Sequence, residues 1–262
     1  MNIQKELTLF ADPDSDATRT QQLSDSLGVA IVEHVADLDM YLHLQSDRLV
    51  LVVNNPQLKK PVPFCVDFTQ AKTSYRAQKT STELLIRAVK IQKKLPFAVV
   101  DGTGGLGRDA FLLAAAGCRV DVFEKNKIVG ALFEDGLRRG KRHPHYAEVL
   151  ERITLHKVDM ITHLNTFIPK PMVIYLDPMF PKRTKSAKVK QDMQILQRII
   201  QDSDDEKQLF KAAWDAGPHK IVVKRPIKEH PVADLKPSYR VKGKAIRFDV
   251  YLPQTYPANS IS

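Results

Sequence analysis

Residues 95–125, LPFAVVDGTGGLGRDAFLLAAAGCRVDVFEK, restrict the possible folds more than any other stretch. Phe97 to Val100 form a short apolar run ending at Asp101, and such a run followed by glycines predicts a buried parallel strand. The loop Gly102-Thr103-Gly104-Gly105-Leu106-Gly107 follows at once. Its glycines permit positive φ and close approach of a ligand to the backbone, and a helix starting near Arg108 aims its amino end at the same place. Asp109 to Ala116 continue as an apolar helix stopped by Gly117, and Arg119 to Phe123 form a second strand. Glu124 closes that strand, where the ribose of a bound nucleotide would lie. Strand, glycine loop, helix and strand predict an α/β sheet with a ligand at its carboxyl edge.

Two cofactor readings fit the loop. Gly102, Gly104 and Gly107 match the dinucleotide fingerprint G-x-G-x-x-G, with an acid about 20 positions on, as in nicotinamide-dependent oxidoreductases. Asp101, Gly105 and Gly107 fall in step with the D-x-G-x-G-x-G loop of S-adenosylmethionine-dependent methyltransferases, with Thr103 in place of the first glycine. The deciding stretch lies downstream. Met172 to Leu176 predict another buried strand, which runs into Asp177-Pro178-Met179-Phe180-Pro181. Prolines cannot extend a central strand, so the chain leaves the sheet there as a stiff loop at the ligand edge.

A carboxylate, carbonyls and an aromatic ring held at that edge suit methylation of an exocyclic amine. The lone pair of such an amine is delocalised into the base, so the site must accept its N–H bonds and favour a pyramidal nitrogen. Asp177 and the Pro178 carbonyl are placed to accept them, and Phe180 to stack on the base. Orienting the nitrogen toward the methyl donor is worth roughly 7–11 kcal/mol in effective molarity.

These motifs, together with Arg108-Asp109-Ala110-Phe111, Glu124-Lys125-Asn126, Lys185-Ser186-Ala187, Val223-Lys224-Arg225-Pro226 and Arg247-Phe248-Asp249-Val250-Tyr251, resemble the bacterial RsmJ family across most of residues 75–252. The resemblance implies a class I methyltransferase sheet, mostly parallel with a closing antiparallel hairpin. It implies S-adenosylmethionine as cofactor and guanine N2 of 16S ribosomal RNA, free or in the small ribosomal subunit, as target. Asp101, Gly102, Thr103, Gly105, Gly107, Arg108 and Asp109 would hold the methionine end of the donor. Glu124, with Lys125 beside it, would take the ribose. The resemblance places Asp159 and Met160 at the adenine, and Asp177, Pro178 and Phe180 at the reacting base. Family members often carry a glycine-rich basic segment ahead of the first motif, whereas this chain has Thr73-Ser74-Tyr75-Arg76-Ala77-Gln78-Lys79-Thr80-Ser81, basic but without glycines.

Composition narrows the partners. The formal charge of +10 over 262 residues favours a polyanion, and nucleic acid more than a membrane because no basic amphipathic helix is evident. A third reading, a non-catalytic RNA-binding protein, accounts for the charge but not for acids at three strand ends. Basic clusters occur at Arg138–Arg142, Lys182–Lys190, Lys224–Lys228 and Lys236–Arg247; two of them follow strand ends at the ligand edge, where phosphate contact is expected. No apolar run approaches the roughly 18 residues of a membrane span and no cleavable leader is read, so a cytoplasmic protein is expected. Cys65 and Cys118 lack ligand spacing and read as small apolar residues, and the His143-Pro144-His145 pair has no companion ligands, so no metal is expected.

Residues 1–72 read as a small α/β domain ahead of a methyltransferase domain at 73–262. In the first, Lys5 to Phe10 predict a strand, Asp14 to Leu27 a helix ended at Gly28, Val29 to His34 a strand, and Tyr41 to Asn54 a hairpin turning near Ser46-Asp47. Val62 to Phe68 add a last strand. In the second, an amphipathic helix is predicted over Ser81 to Lys94, helices over 126–140, 191–200 and 202–217, and strands at Ile153 to Val158 and His219 to Lys224. Tyr239 to Val241 and Arg247 to Leu252 predict the closing pair around Gly243.

Overall fold

The computed structural model describes residues 7–36, 38–54, 61–70, 80–164, 172–178 and 206–257. Two sheets result. The first is built from β1 (Leu9–Ala11), β2 (Ile31–Val32), β3 (Met40–Leu44), β4 (Leu49–Val53) and β5 (Val62–Phe64), in the order β2-β1-β3-β4-β5. Helix α1 (Ala17–Leu27) starts where Asp16 accepts from the Arg19 amide and stops at Gly28, whose φ of 67° only glycine adopts freely. β3 and β4 pair antiparallel with Leu44 opposite Leu49, which puts the turn at the expected Ser46-Asp47.

The second sheet has the order β11-β12-β10-β9-β6-β7-β8. Its strands are β6 (Ala98–Asp101), β7 (Arg119–Phe123), β8 (Ile153–His156), β9 (Val173–Leu176), β10 (Lys220–Pro226), β11 (Tyr239–Lys242) and β12 (Ile246–Tyr251). Six run in one direction, and β12 alone enters antiparallel, between β10 and β11. The helices are α2 (Leu84–Val89), α3 (Arg108–Ala115), α4 (Lys127–Lys141), α5 (Ala147–Glu151), α6 (Met160–His163) and α7 (Glu206–Asp215). Strand order reverses between β6 and β9, so the loops leaving these two strands flank the crevice where open α/β sheets bind ligands.

Helix α2 is shorter than the expected Ser81 to Lys94. The apolar period continues past Val89, but Gln92 and Lys93 take φ of 47° and 66°, and Ile91 and Lys94 exchange backbone hydrogen bonds to close a tight turn. The predicted helix at 191–200 lies outside the described residues.

Helix α4 joins the two sheets. One apolar core runs from Leu9, Leu42 and Leu51 of the first sheet through Leu132 and Phe133 of α4 to Phe111 of α3 and Val120 of the second sheet. Asp135, buried on α4, accepts from Arg19 of α1 at 2.5 Å, Arg138 at 2.9 Å and Arg139 at 2.8 Å. Burial works to raise its carboxyl, but the guanidiniums of Arg139 and Arg138 outweigh it and hold the group ionised. Arg138 and Arg142 also reach Asp47 in the β3–β4 turn. Arg138 and Arg139 are therefore spent on a clamp between α4 and the first sheet, and Arg142 pairs with Asp47 at the surface, so the 138–142 run is not a set of unpaired cations.

Candidate active site

The glycine loop is fixed from both sides. The Gly102 amide donates to the Tyr175 carbonyl at 2.9 Å and the Gly104 amide to Phe123 at 2.8 Å, which ties the loop to β9 and β7. A Cβ on Gly102 would run into Met160 and Leu176, and one on Gly104 would lie 2.5 Å from Cγ1 of Val122. Gly105 is different: φ is +52° and the nearest atom to an added Cβ is 3.9 Å away. The loop thus packs tightly below and presents an open backbone above, the surface a ligand needs for close approach.

Glu124 is 8% exposed at the end of β7. Its Oε2 accepts from the Gly105 amide at 2.7 Å and its Oε1 from the Asn126 amide at 2.8 Å, so this carboxylate also sets the shape of the loop. Carboxylate oxygens accept more than one hydrogen bond, and a diol can share them. Lys125 is exposed beside it. Asp159 caps α6 by accepting from the Ile161 amide at 2.8 Å, and Met160 is buried beneath Gly102.

Three carboxylates converge on the crevice between β6 and β9. Asp101, 1% exposed, accepts from the Thr103 amide at 3.1 Å and from the Thr103 hydroxyl at 3.4 Å. The same hydroxyl accepts from the Asp177 amide at 2.6 Å. Thr103, which departs from the usual glycine, thereby links the glycine loop to the Asp177-Pro178 segment. Asp109, in the first turn of α3, accepts from the Tyr175 hydroxyl at 2.7 Å and from Lys224 at 2.8 Å, and Lys224 also donates to Asp177 at 2.7 Å. The parallel register that sets Val223 against Leu176 carries Lys224 alongside Asp177.

Burial raises the Asp177 carboxyl, Lys224 opposes this and Asp109 adds to it; the side chain keeps 37% of its surface, so the carboxylate stays accessible. Lys224, although desolvated, is pushed up by Asp109 and Asp177 and stays charged. The sequence offers no local signal for this bridging role: Lys224 reads as part of a phosphate-contacting basic run. That expectation is corrected. Lys224 is bound by two acids, and its neighbour Arg225 is buried against Glu206 and the His230 carbonyl. In the 236–247 run, Arg240 and Arg247 both pair with the buried Asp249.

Not every predicted residue joins the cluster. Arg108, with Leu106, also lines a cleft of about 200 Å³ against Cys65, Asp67 and Gln70. Pro178 is buried directly after Asp177. Phe180, the 182–190 run and the segment 73–79 lie outside the described residues. Among those described, no group of three or more His, Cys, Asp or Glu side chains is placed to hold a metal ion.

The donor set fits S-adenosylmethionine. Its methionine end carries an ammonium and a carboxylate beside the sulfonium; Asp101 and Asp109 supply negative charge for the cations, and Asp177 stands at the open lip beyond them. Burial and the two neighbouring acids push Asp101 up to about 7, with the Thr103 amide opposing them. A proton is thus held by the folded chain and not by the unfolded one between pH ~4 and ~7, and stability from this group falls as pH rises through that window by on the order of 4 kcal/mol. Asp101→Asn removes the buried charge. It is expected to raise the melting temperature of the ligand-free protein above that of wild type at pH 8 and to leave little difference near pH 4.5. Thermal unfolding across pH checks this, and parallel profiles for the two proteins would refute it.

The family model "Putative SAM-dependent methyltransferase" matches residues 26–253. Ribosomal RNA small subunit methyltransferase J of Marinobacter nauticus is 38% identical over 254 residues, covering 95% of this chain and 91% of that protein. The enzyme of the same name from Thioalkalivibrio sulfidiphilus is 37% identical over 239 residues, covering 89% and 92%. The crystal structure of a SAM-dependent methyltransferase from Neisseria gonorrhoeae superposes with a TM-score of 0.74 at 27% identity over 97% of this chain and 98% of that one. The nicotinamide reading of Gly102, Gly104 and Gly107 gives way to the methyl donor. Matched by the family model over residues 26–253 and by relatives at 37–38% identity along nearly its whole length, the chain belongs to the ribosomal RNA small subunit methyltransferase J family of S-adenosylmethionine-dependent methyltransferases.

Proposed function

We propose that this enzyme methylates the exocyclic N2 of a guanosine in 16S ribosomal RNA. The observation that carries the reading is the Asp177 carboxylate at the lip of the glycine loop, held by Lys224 while the Thr103 hydroxyl fixes the backbone amide of the same residue. S-adenosylmethionine supplies an electrophilic methyl group on its sulfonium. Asp101, Gly102, Thr103, Gly105, Gly107, Arg108 and Asp109 hold the methionine end; Glu124 with Lys125 takes the ribose, and Asp159 with Met160 the adenine. Asp177 and the Pro178 carbonyl accept the N2 hydrogens, and Phe180 stacks on the base. As the N–C bond forms and the S–C bond breaks, the nitrogen becomes acidic, and Asp177 or water takes the proton.

The division at residue 72 belongs to the same proposal, with the N-terminal unit setting the position of the RNA. So do the small ribosomal subunit as partner and a cytoplasmic location. Among the described residues no helix is long and apolar enough to cross a membrane.

The test is transfer of labelled methyl to small-subunit RNA purified from cells lacking the family enzyme, followed by nuclease digestion and mass spectrometry. N2-methylguanosine at one site is the expected product. Methyl on another atom, or none while S-adenosylhomocysteine binds calorimetrically, would refute the reading.

A further inference from the structure

In the described parts of the basic runs every arginine, together with Lys224, is held in an ion pair, and a different set of cations stays open. Arg87, Lys90 and Lys93 lie around the end of α2 and the turn after it, and among the described residues their side chains have no acidic partner. Together with Lys220 and Tyr239 they line a cleft of about 640 Å³ to which, among the described residues, no acid contributes. The cleft lies at the amino edge of the second sheet. Lys220 and Lys224 are four residues apart on β10, so it sits roughly 13 Å along the strand from the acid cluster, at ~3.3 Å per residue.

The cleft is built rather than incidental. Lys220 is 3% exposed and donates to the Ala88 and Lys90 carbonyls at the end of α2 and to the Tyr239 hydroxyl at 2.8 Å. Burial pushes its ammonium down to about 8, which leaves it mostly charged near neutral pH; its hydrogen bonds pin α2 and the phenol, and the outer cations are the ones that face solvent. Gln92 and Lys93 both hold positive φ without being glycine, a conformation that costs energy and sets Lys93 at the rim.

The same edge exposes rings beside cations. Tyr239 is 40% exposed with the Lys220 ammonium 5.5 Å from its centroid, and Phe97 is 73% exposed with the Arg119 guanidinium at 5.9 Å. From β11 to β7 this stripe crosses five strand spacings, roughly 24 Å. Cations for phosphates alternating with flat rings for bases are the chemistry of a nucleic-acid groove, whereas a membrane surface asks for a continuous apolar face.

We propose that the cleft at the amino edge, centred on Arg87, Lys90, Lys93 and Tyr239, is a second binding site for RNA, holding backbone phosphates of the substrate remote from the base that is methylated. The proposal rests on the RNA-methylating reading above. It makes RNA capture separable from chemistry: one edge of the sheet reacts and the other tethers.

The test compares wild type with Lys90→Glu/Lys93→Glu, and with Lys207→Glu/Lys211→Glu on α7 as a control of equal net charge. RNA affinity is measured against salt by fluorescence anisotropy, and methyl transfer at varied RNA concentration. The amino-edge variant is expected to raise KM for RNA at least tenfold, to keep kcat within twofold and to lose about 1.5 from the slope of log affinity on log salt, at ~0.7–0.9 per phosphate contact. The control keeps the wild-type KM and slope, and matching melting temperatures show that all three are folded. Unchanged KM and slope in the amino-edge variant overturn the proposal. So does loss of binding to phosphatidylglycerol vesicles with RNA affinity intact, which would assign the cleft to a membrane. Failure of wild type to methylate would sink the enzymatic reading instead, while the salt slopes would still decide whether this cleft holds RNA.

Discussion

Asp177→Ala is expected to lower kcat for methyl transfer by about 10²–10³-fold while leaving affinity for S-adenosylhomocysteine within threefold. A fixed group that acts on charge developing at the reacting atom is typically worth that much, and it acts little on the ground state. The structure favours such a split. The Asp177 side chain is open at the lip of the crevice, whereas the loop that would carry the donor is held by Tyr175, Phe123 and Glu124, none of which the substitution touches. Lys224 retains Asp109 as partner. Asp177→Asn keeps one acceptor and should fall between the two. Because burial raises the Asp177 carboxyl, activity of the wild type should decline with falling pH from a point above the ordinary aspartate value of 3.8. Single-turnover rates and calorimetry separate these quantities, and an equal loss of rate and of donor affinity would count against the clamp.

Gly107→Ala should unfold the enzyme more than any other single methyl group in the loop. Gly107 has φ of +68°, and a Cβ there would overlap the ring of Phe133, which is fully buried on α4. The left-handed backbone costs about 1–2 kcal/mol for alanine and overpacking a closed core costs about 1–3 more. At ~2–4 °C per kcal/mol for a chain of this size, the melting temperature should drop by roughly 10 °C. Phe133→Leu makes room for the methyl, so the double variant should be less destabilised than the sum of the two single ones, a coupling that a thermal double-mutant cycle measures. Additive effects would place the strain in the backbone alone.

What was legible in the sequence was what is local. The run from Val99 to Glu124 carries its own strand, loop, helix start and strand-end acid, so the expected elements match β6, α3 and β7 to within a residue or two. The Ser46-Asp47 turn and the closing hairpin around Gly243 were legible for the same reason. Helix α2 was overextended because amphipathic spacing continues beyond Val89, and the turn that ends it uses Gln92 and Lys93 in place of the glycine that would have announced it. Ionic partnerships between distant parts of the chain were illegible. Arg138 meets Asp47 across 91 residues and Lys224 meets Asp109 across 115, and no pattern of neighbours encodes such a distance. Runs of basic residues accordingly read as open faces when several of them are internal clamps. The carboxylate cluster was half legible: Asp101, Asp109 and Asp177 stand in motifs, but the lysine joining two of them depends on the register between β9 and β10.

The core that passes through α4 into both sheets has a consequence for how such a protein changes over time. Gly136 packs so closely on Val66 that an added Cβ would come within 2.6 Å of its Cγ1, and Gly140 lies against Phe68 and Leu150. Volume beside the first sheet is therefore answerable to volume on α4, and a substitution at Val66 or Phe68 is tolerated or rejected by a helix that packs on the second sheet. The two units must drift as a pair, so that a catalytic half transplanted from a relative would inherit a socket shaped for someone else's side chains.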